Sequence, residues 1–337
     1  MINLISDTVT KPTPEMLQYM IKAEVGDDVF GQDPTVNELE SYVADMFGKD
    51  SAIFCPSGTM TNQIAIKCHT QPLDEVICDH YSHVYQYETG GYAYNSGVAI
   101  NLIQGTNGKI TAEQVENAIK PVYDWLPISK LVVLENSCNK GGGSYYTLDE
   151  IAPITKLCKQ RKLKLHLDGA RLFNVLIETE ENTKNVGKHF DSISICLSKG
   201  LGAPVGSLLI GDKDFITQAR RYRKVMGGGM RQAGFLAAAC IFALKNQRTR
   251  LKDDNYKASE IGKLLDQQCY VKSVRPVKTN IVIFDLADGQ KASPFLEKLK
   301  SKGILATAFG PETVRFVTHL DYTDAMHATV LNTLKSI

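Results

Sequence analysis

The sequence predicts an α/β fold: a mostly parallel central sheet flanked by helices, followed by a smaller C-terminal α+β domain. Short strand-like segments alternate with helical segments between residues 52 and 210, which is typical of a parallel sheet whose strands are joined by helices. The pattern changes at about Gly227, and 337 residues are enough for a large and a small domain. We therefore expect an N-terminal arm at residues 1–13, a large domain at 14–226 and a small domain at 227–337.

The individual elements follow from hydrophobic periodicity. Leu39, Val43 and Met46 recur on one side of a helix, and Ile193 and Ile195 alternate with serines in a strand. In the large domain the predicted helices span residues 14–25, 35–47, 60–69, 82–88, 112–120 and 148–161, and the predicted strands span 52–55, 75–78, 99–103, 131–135 and 164–167, with a strand pair within 191–210. Beyond it, we expect helices at 227–247, 253–268, 292–302 and 323–336 and strands at 279–286, 304–308 and 313–317.

Composition and charge argue against nucleic-acid and membrane partners. The chain is 43% hydrophobic and 22% charged, with a net charge of +1, so no bulk attraction toward polyanions is expected. The basic run Arg220–Lys224 is expected to be a solvated helix face. The longest apolar run, Phe235–Leu244, is too short to cross a bilayer, which takes about 20 residues.

The cysteines and the N-terminus point to the cytoplasm. Asp7 and Lys11 interrupt the N-terminal segment before an apolar signal region could form. The eight cysteines occur singly, without a Cys-x-x-Cys pair, and most lie inside apolar segments. Such cysteines are typical of buried side chains in a reducing compartment.

A single lysine follows a strand-like segment and leads directly into a glycine-rich turn. Lys199 precedes Gly200, Gly202 and Gly206, and a second apolar strand begins at Ser207. Burial penalises an ammonium group and lowers the pKa of a lysine, which favours a nucleophile able to form a Schiff base. A surface lysine at a hairpin is the alternative, and this segment alone favours neither.

The segment CPSGTMTNQ at residues 55–63 predicts an anion site. A strand that runs into Ser57, Gly58 and Thr59 and then into a helix places free backbone N–H groups and a positive dipole end at this turn. The glycine allows close approach of an anion, and the two hydroxyls can donate to it. The alternative is an ordinary helix N-terminus capped by Ser57 or Thr59.

The segment HLDGAR at residues 166–171 places an acid where α/β proteins bind ligands, at the carboxyl end of a strand. Asp168 is suited to pair with a protonated ring nitrogen, and Arg171 to bind a carboxylate or phenolate; an Asp–Arg pair that ties a loop is the alternative. A phosphate turn, a ring-nitrogen acid and, roughly 30 residues later, the nucleophile Lys199 are what pyridoxal 5′-phosphate (PLP) requires of a protein.

Seven segments spread along the chain carry a family resemblance: SDTVTKPT (6–13), EVGDDVFGQDPTVNELE (24–40), PSGTMTNQ (56–63), DGAR (168–171), LSKGLGAPVGS (197–207), GGGMRQAG (227–234) and VRFVTH (314–319). With them the chain resembles the fold-type-I PLP enzymes, and most closely the L-threonine aldolases of the aromatic amino-acid β-eliminating lyase/threonine aldolase family. The resemblance implies a fold-type-I, transferase-like architecture with PLP as the cofactor.

The resemblance also implies roles for the candidate residues. Lys199 is expected to form the Schiff base with PLP, Asp168 to hold the proton of the pyridine nitrogen, and Arg171 to contact a cofactor oxygen or the substrate carboxylate. His83 is expected to stack on the cofactor ring and to act as a base. The residues expected to hold the cofactor phosphate are Ser57, Gly58, Thr59 and Ser198.

Further residues are implied around the substrate. Ser6 and Arg315, together with Arg171, are expected to bind the substrate carboxylate. Glu88 is a further catalytic candidate, and Lys224 is a candidate supplied by a neighbouring subunit. Fold-type-I enzymes generally build their active sites at a subunit interface, so the resemblance implies a homodimer or a tetramer.

The chain departs from the family pattern at several positions. Ile5 replaces an arginine, and Phe30 stands where tyrosine is common, which removes a hydroxyl near the cofactor. Trp125 occupies a loop that often carries a histidine, and Cys138 replaces a second histidine. We therefore expect the surroundings of the substrate's β-substituent, but not the cofactor site, to differ from those of other members.

The activity implied by the resemblance is cleavage of L-β-hydroxy-α-amino acids, such as L-threonine or L-allo-threonine, to glycine and an aldehyde. One alternative is another PLP reaction, such as β-elimination or cleavage of an aryl substrate stacked on Trp125. The other is a PLP-binding protein without catalytic activity. His83 with His80 and Asp79 would alternatively be a metal site or a capping cluster, but no other metal ligands accompany them, so no metal is expected.

Overall fold

The computed structural model describes all 337 residues. Its strands are β1 (Ile2–Asn3), β2 (Ser51–Cys55), β3 (Asp74–Asp79), β4 (Ala99–Ile103), β5 (Ile128–Glu135), β6 (Lys164–Gly169), β7 (Ser192–Cys196), β8 (Ser207–Gly211), β9 (Val271–Val274), β10 (Ile281–Leu286), β11 (Ile304–Leu305), β12 (Thr307–Ala308) and β13 (Thr313–Val317). Its α-helices are α1 (Pro14–Ile21), α2 (Pro34–Phe47), α3 (Gly58–His69), α4 (His83–Gln86), α5 (Gly91–Ser96), α6 (Ala112–Ala118), α7 (Leu148–Arg161), α8 (Leu172–Thr179), α9 (Thr183–Gly187), α10 (Lys213–Val225), α11 (Gly234–Asn246), α12 (Leu251–Leu265), α13 (Ala292–Ser301) and α14 (Asp324–Ser336).

A seven-stranded sheet forms the centre of the molecule, in the order β2-β8-β7-β6-β5-β3-β4. Strand β8 is antiparallel to both of its neighbours, and all other pairs are parallel. Six strands therefore run in one direction, and their carboxyl ends meet at one edge of the sheet. The prediction of an α/β protein with a mostly parallel sheet is confirmed.

The C-terminal part of the chain builds a second, antiparallel sheet of four strands in the order β12-β13-β10-β9. Helices α12, α13 and α14 pack with it around a separate hydrophobic cluster that includes Phe284, Phe316 and Leu334. The N-terminal segment joins this cluster, because Leu4 is fully buried in it and β1 pairs with β11. The segment 1–13, expected to be an extended arm, is thus attached to the small domain at its start.

The two hydrophobic clusters bear on where the domains divide. Helix α11 contributes Ala237, Cys240 and Ile241 to the large cluster around the central sheet, whereas α12 contributes Ala258 and Ile261 to the small one. The predicted division at residue 227 stays a prediction, and this packing favours a boundary close to the start of α12.

The structure corrects several local expectations. Helices α5, α8 and α9 and strands β1 and β9 were not predicted, and α10 was expected only at residues 220–224. The single strand expected at 304–308 is two strands that belong to different sheets. The basic run on α10 is not a fully solvated face: Arg223 is buried in an ion pair with Asp28 at 2.9 Å, and Arg220 pairs with Glu40. Only Arg221 and Lys224 of the run's cations are exposed.

None of the helices combines the length and the apolar composition needed to cross a membrane.

Candidate active site

The candidate residues converge at the carboxyl edge of the central sheet. Asp168 lies near the end of β6 and pairs in register with Glu135, the last residue of β5. Lys199 follows the end of β7 by three residues, and Gly58 begins α3 directly after β2. His83 follows β3. The carboxyl ends of the strands in an open α/β sheet are where such proteins bind ligands.

The N-terminus of α3 is both capped and open to a ligand. Ser57 is the N-cap residue, and its hydroxyl accepts a hydrogen bond from the N–H of Met60. The N–H groups of Gly58 and Thr59 lie in the first turn of this 12-residue helix, where no carbonyl precedes them within the helix. Ser57 and Thr59 are exposed. These N–H groups and hydroxyls form a donor set suited to a phosphate, so the cap does not exclude the anion site.

Close packing explains why a glycine begins this helix. A Cβ atom at Gly58 would lie 2.5 Å from the Sγ atom of Cys196 at the end of β7. A larger residue would therefore push α3 away from the strand that leads to Lys199.

Asp168 is buried and is held by amide groups. Its Oδ2 atom accepts a hydrogen bond from the side chain of Asn62 at 2.8 Å, and its Oδ1 atom accepts one from the N–H of Ala170 at 3.2 Å. The alternative that Asp168 pairs with Arg171 to tie a loop is wrong, because Arg171 has a different partner. The Asp168 carboxylate is therefore not neutralised by a neighbouring guanidinium.

The partner of Arg171 is Asp7, which was not among the predicted site residues. The Nε and Nη2 atoms of Arg171 donate to the two carboxylate oxygens of Asp7, both at 2.7 Å, and Asn280 donates to Asp7 as well. Burial alone would raise the pKa of Asp7, but the Arg171 guanidinium holds it well below its usual range. Asp7 fixes Arg171 in place and leaves its Nη1 atom for a further acceptor.

Arg315 lies beside Arg171 with one donor unused. Its Nη1 atom donates to the side chain of Asn139 at 2.9 Å and its Nη2 atom to the carbonyl of Ile5 at 3.0 Å, whereas the buried Nε atom has no partner. Burial, and then the nearby Arg171 cation, lower the pKa of Arg315 to about 10. An anion next to Arg315 would offset the repulsion from the Arg171 cation, so this pair of guanidinium groups is suited to bind a carboxylate.

Ser6 acts as a cap in this structure. Its hydroxyl accepts hydrogen bonds from the N–H and the hydroxyl of Thr8 at the start of a short 3₁₀ helix, Asp7–Val9. The same hydroxyl lies 3.5 Å from an oxygen of Asp7. Contact between Ser6 and the substrate carboxylate stays a prediction.

His83 is oriented by Glu88. The Nδ1 atom of His83 lies 2.9 Å from Oε1 of Glu88, and the backbone N–H of His83 donates to Glu135 at 2.8 Å. Burial disfavours the charged imidazole, but the hydrogen bond that it donates to Glu88 and the charges of Asp168 and Glu135 outweigh burial and raise the pKa of His83. Since a carboxylate only accepts, Nδ1 carries a proton and Nε2 is left to accept one.

Glu88 and Asp168 share a donor. The Nδ2 group of Asn62 also donates to Oε1 of Glu88 at 2.9 Å, and Gln63 donates to Oε2 at 2.6 Å. A ring nitrogen of His83 and one carboxylate oxygen each of Glu88 and Asp168 therefore lie within 4.8 Å of one another. Amide and imidazole hydrogen bonds account for this proximity.

Glu135 is a buried acid that the sequence analysis did not select. Its carboxylate oxygens accept from the backbone N–H groups of His83 and Asn139, both at 2.8 Å. Burial, followed by the charge of Asp168, raises the pKa of Glu135 to about 7. Glu135 thus connects the candidate base to Asn139, which in turn positions Arg315.

The chain is similar to known proteins along most of its length. The model of the Beta-eliminating lyase family matches residues 3–289. The chain belongs to the beta-eliminating lyase family.

Named relatives of this beta-eliminating lyase family member cover nearly the whole chain. It is 40% identical over 322 residues to the low specificity L-threonine aldolase of Escherichia coli strain K12, which covers 95% of this chain and 94% of that protein. It is 38% identical to the low-specificity L-threonine aldolase 1 of Arabidopsis thaliana, over 94% of this chain and 91% of that one. The fold resembles that of a threonine aldolase from Leishmania major, with a TM-score of 0.86 at 22% identity, over 100% of this chain and 99% of the other. The fold-type-I prediction is confirmed.

The structure shows the surroundings of three positions where this family member departs from the usual pattern. The Cys138 thiol is buried in the large hydrophobic cluster and donates to the backbone carbonyl groups of Glu135 at 3.0 Å and Gly108 at 3.3 Å. Trp125 is 76% exposed and stacks on Tyr123 with ring centroids 4.8 Å apart. Ile5 contacts Arg315 through its backbone carbonyl, so the side chain at this position is not what holds the arginine.

The remaining candidates lie at the surface or in loops of this lyase family member. Phe30 is 72% exposed and, with the exposed Lys224, lines a cavity of about 630 Å³. Ser198 is half-buried beside Lys199. Asp79 accepts from the N–H groups of Tyr81 and Gly105, and it therefore caps a turn, as one of the two alternatives for this segment predicted.

Proposed function

We propose that the chain is a PLP-dependent aldehyde-lyase that cleaves L-threonine, L-allo-threonine and related L-β-hydroxy-α-amino acids to glycine and an aldehyde. The observation that carries the proposal is the convergence, at one sheet edge, of the Asp168 carboxylate, Lys199 shortly after β7, and the imidazole of His83, whose Nδ1 atom is hydrogen-bonded to Glu88. The activity named for the relatives in Escherichia coli and Arabidopsis thaliana supports the substrate class.

The residues of the site fit PLP. Gly58 and Thr59, with Ser57 and Ser198, would hold its phosphate, since the first turn of α3 offers free N–H groups. Asp168 would pair with its pyridine nitrogen, and Lys199 would hold it covalently. The chemistry that PLP supplies when bound is an electron sink for negative charge at the substrate Cα atom.

The substrate carboxylate would be bound by the two guanidinium groups. Arg315 offers its buried Nε atom and Arg171 its Nη1 atom, because their other nitrogens are engaged by Asn139, Ile5 and Asp7. Fixing the carboxylate fixes the rotation about the bond to Cα, so the Cα–Cβ bond is held in one direction relative to the cofactor. Positioning of this kind is a large term in catalysis.

His83 would accept the proton of the substrate's β-hydroxyl as the Cα–Cβ bond breaks. Glu88 accepts from Nδ1 and so leaves the lone pair of Nε2 for this proton. Because Glu88 stabilises the charged imidazole, it makes His83 a stronger base. A positioned base of this type contributes about 10²–10⁴-fold to a rate. Glu88 itself is a positioning residue in this arrangement.

We infer further that the protein is a cytoplasmic homo-oligomer in which Lys224 reaches the site of a neighbouring subunit. Phe30, which lines the same cavity as Lys224, is 72% exposed, and Val225, next to Lys224 in the sequence, is 80% exposed, which suits a subunit contact. All eight cysteines are free, which suits a reducing compartment. Sedimentation of the purified protein tests the assembly: a monomer at working concentration would contradict it.

The activity is tested by incubating the PLP-loaded protein with L-threonine, L-allo-threonine, L-phenylserine and L-serine. Glycine and the matching aldehyde are measured as products, with 2-oxo acid and ammonia as the products of β-elimination. We expect glycine from the β-hydroxy amino acids and none from a Lys199→Ala variant. The absence of glycine from every substrate would refute the aldolase function, and release of 2-oxo acid would identify a β-eliminating lyase instead.

A further inference from the structure

A continuous chain of buried hydrogen bonds leads from the candidate active site into the interior of the large domain. The side chain of Asn62, which donates to Asp168, also lies 3.2 Å from Nε2 of His166 through its Oδ1 atom. The Nδ1 atom of His166 lies 2.8 Å from the hydroxyl of Ser192, and that hydroxyl lies 2.7 Å from Nε2 of His69. None of the last three residues is used by the mechanism above.

Strand register brings the members of this chain together. His166 and Asp168 are two residues apart on β6, so their side chains leave the same face of the sheet. His166 pairs in register with Ser192 on β7, and α3 packs against both strands. Helix α3 supplies Asn62 from its first half and His69 as its last residue. The helix whose N-terminus suits a phosphate thus also covers the whole chain of hydrogen bonds.

The carboxylates of Asp168 and Glu88 fix the direction of the hydrogen bonds on both sides of the Asn62 amide. The amide nitrogen of Asn62 contacts Asp168 and Glu88, which can only accept. The amide oxygen must therefore face His166, and an oxygen requires a donor, so Nε2 of His166 carries a proton. Burial lowers the pKa of His166 to about 4. The ring is therefore neutral near pH 7, and its Nδ1 atom is an acceptor.

The remaining hydrogen bonds follow from counting protons. The hydroxyl of Ser192 must donate to Nδ1 of His166, and because it has a single proton it must accept from His69. Burial, and then the neighbouring His166, lower the pKa of His69 to about 3, and its ring stacks on Phe215 at 4.6 Å. His69 is therefore neutral with its proton on Nε2. Every donor in the chain points toward Asp168.

We propose that His166, Ser192 and His69 are positioning residues that fix the orientation of the Asn62 amide and, through it, the Asp168 carboxylate that faces the pyridine nitrogen of PLP. A reversed Asn62 amide would turn its oxygen toward two carboxylates, which would repel it and displace Asp168. The hydrogen-bonded chain adds to this repulsion in opposing the reversal, because a neutral His166 whose Nδ1 atom already accepts from Ser192 has its proton on Nε2, facing the Asn62 oxygen. The inference rests on the proposed function for the role of Asp168, but its hydrogen-bond directions do not depend on which substrate is cleaved.

The experiment removes one proton donor, the Ser192 hydroxyl, which is separated from Asn62 by a single residue of the hydrogen-bonded chain, His166. Ser192→Ala deletes the hydroxyl that donates to Nδ1 of His166. Ser194→Ala is the matched control, since Ser194 lies on the same strand, is equally buried and bonds to Thr61 at 2.5 Å rather than to this chain. Both variants and the wild type are labelled with ¹⁵N in the histidine rings, and two-bond correlation spectra report which ring nitrogen is protonated. The affinity for PLP is measured by equilibrium dialysis of the apo proteins.

We expect the wild type and Ser194→Ala to show His166 protonated at Nε2 and bare at Nδ1. Ser192→Ala should show part of the population protonated at Nδ1, because Nδ1 then lacks its donor and only the two carboxylates still orient the Asn62 amide. Loss of a hydrogen bond that orients a charged acceptor predicts PLP affinity about tenfold lower in Ser192→Ala, with Ser194→Ala within about twofold of the wild type. Wild-type His166 protonated at Nδ1, or equal losses of affinity in the two variants, would overturn the proposal. The aldolase activity of the wild type is assayed separately, so its absence would refute the function without touching this result.

Discussion

Replacing Glu88 by glutamine tests how the candidate base is held. The carboxylate is buried and accepts three hydrogen bonds: from His83 at 2.9 Å, from Asn62 at 2.9 Å and from Gln63 at 2.6 Å. Glutamine has the same shape, and its oxygen can still accept from His83 and Asn62. Its amide nitrogen then meets the amide nitrogen of Gln63, which must turn over. The substitution therefore removes the negative charge and disturbs one hydrogen bond while retaining the packing.

The size of the effect follows from that charge. A hydrogen bond to a charged group contributes about 1.5–3 kcal/mol, and about 1.4 kcal/mol is a factor of ten, so we expect kcat/KM for L-threonine to fall about 10- to 100-fold. The pH dependence has a definite sign. Glu88 raises the pKa of His83, and a base acts only when it is neutral. Without the charge, the pKa of His83 falls, so the acid limb of the pH–rate profile moves to lower pH.

The assay measures glycine release by the PLP-loaded protein across the acid limb, for the wild type and Glu88→Gln. Glu75→Gln is the matched control, because Glu75 is also a buried carboxylate that takes part in several hydrogen bonds. It accepts from Ser129 at 3.1 Å and forms an ion pair with Lys120, but it lies near the start of β3, at the opposite edge of the sheet from the site. The control is expected to lower stability and to leave the acid limb in place. An acid limb that stays fixed in Glu88→Gln, or moves to higher pH, would refute the assignment of His83 as the base oriented by Glu88.

Three further predictions concern the groups around this base. Asp7→Asn leaves Arg171 buried without its counter-charge, so the free energy of unfolding in urea should fall by about 3–5 kcal/mol near pH 7. Because the pKa of Asp7 is lowered in the folded state, its stabilisation is complete above its ordinary pKa of about 4 and is lost below it, so the difference should shrink in acid. Gly58→Ala should destabilise the protein by about 1–3 kcal/mol and weaken PLP binding. The double variant Gly58→Ala/Cys196→Ala should recover part of both losses, because without the Cys196 thiol the nearest atom to the added Cβ is the Ser207 hydroxyl oxygen at 3.7 Å. Arg315→Lys should raise KM about tenfold with unchanged PLP affinity, as measured by steady-state kinetics and dialysis.

Each of these predictions has an outcome that contradicts it. For Asp7, the control is Asp288→Asn, which breaks an exposed ion pair with Lys272 and should hardly change stability; an equally small loss in Asp7→Asn would show that the buried pair does not stabilise the fold. For Gly58, a double variant no better than Gly58→Ala would show that contact with Cys196 is not the cause. For Arg315, a fall in kcat with constant KM would argue against a role in carboxylate binding.

The fold was predictable wherever local periodicity decided the structure. Strand 99–103 and helix 148–161 have the same bounds in the structure as in the prediction. The prediction was wrong where the pairing partner of a strand decides the structure. Residues 304–308 were predicted as one strand, but Ile304 pairs with Ile2, and Thr307 pairs with Arg315 in another sheet. The partner of Ile304 lies at the other end of the chain, whereas Thr307 pairs with the strand that follows it, and no local pattern records where one sheet ends and the other begins.

The same distinction applies to the site. Asp168 and Lys199 could be selected from the sequence because one lies near the end of a strand, the other shortly after one, and both carry a reactive group; His83 was selected only through the family resemblance. Their partners were not, because Asn62 meets Asp168 across 106 positions and Asp7 meets Arg171 across 164. An asparagine in the first turns of a helix has no distinctive local signal. A buried acid at the end of a strand, such as Glu135, could have been selected by the same rule that selected Asp168.

The way the buried acids are stabilised explains why cations remain for ligands. Asp168, Glu88 and Glu135 lie together at the sheet edge, and three carboxylates in a buried space repel one another. Their hydrogen bonds come almost entirely from neutral donors: the amides of Asn62 and Gln63 and backbone N–H groups, with His83 completing the set for Glu88. Lysine and arginine are therefore not used to neutralise these acids. Neutral donors stabilise the acids only in part, because the pKa of Glu135 still rises to about 7.

The repulsion that remains among these acids favours the binding of a cationic ligand. A positive charge brought next to Asp168, such as a protonated ring nitrogen, relieves the repulsion among the three acids and is attracted by all of them. Arg315, whose pKa is lowered by burial and by the nearby Arg171 cation, gains in the same way from an anion. The apo site is thus electrostatically unfavourable at both ends, with excess negative charge at the sheet edge and excess positive charge at the arginines. A ligand with a cationic ring at one end and a carboxylate at the other removes both costs at once, which is why cofactor and amino-acid substrate should stabilise the folded chain together more than either alone.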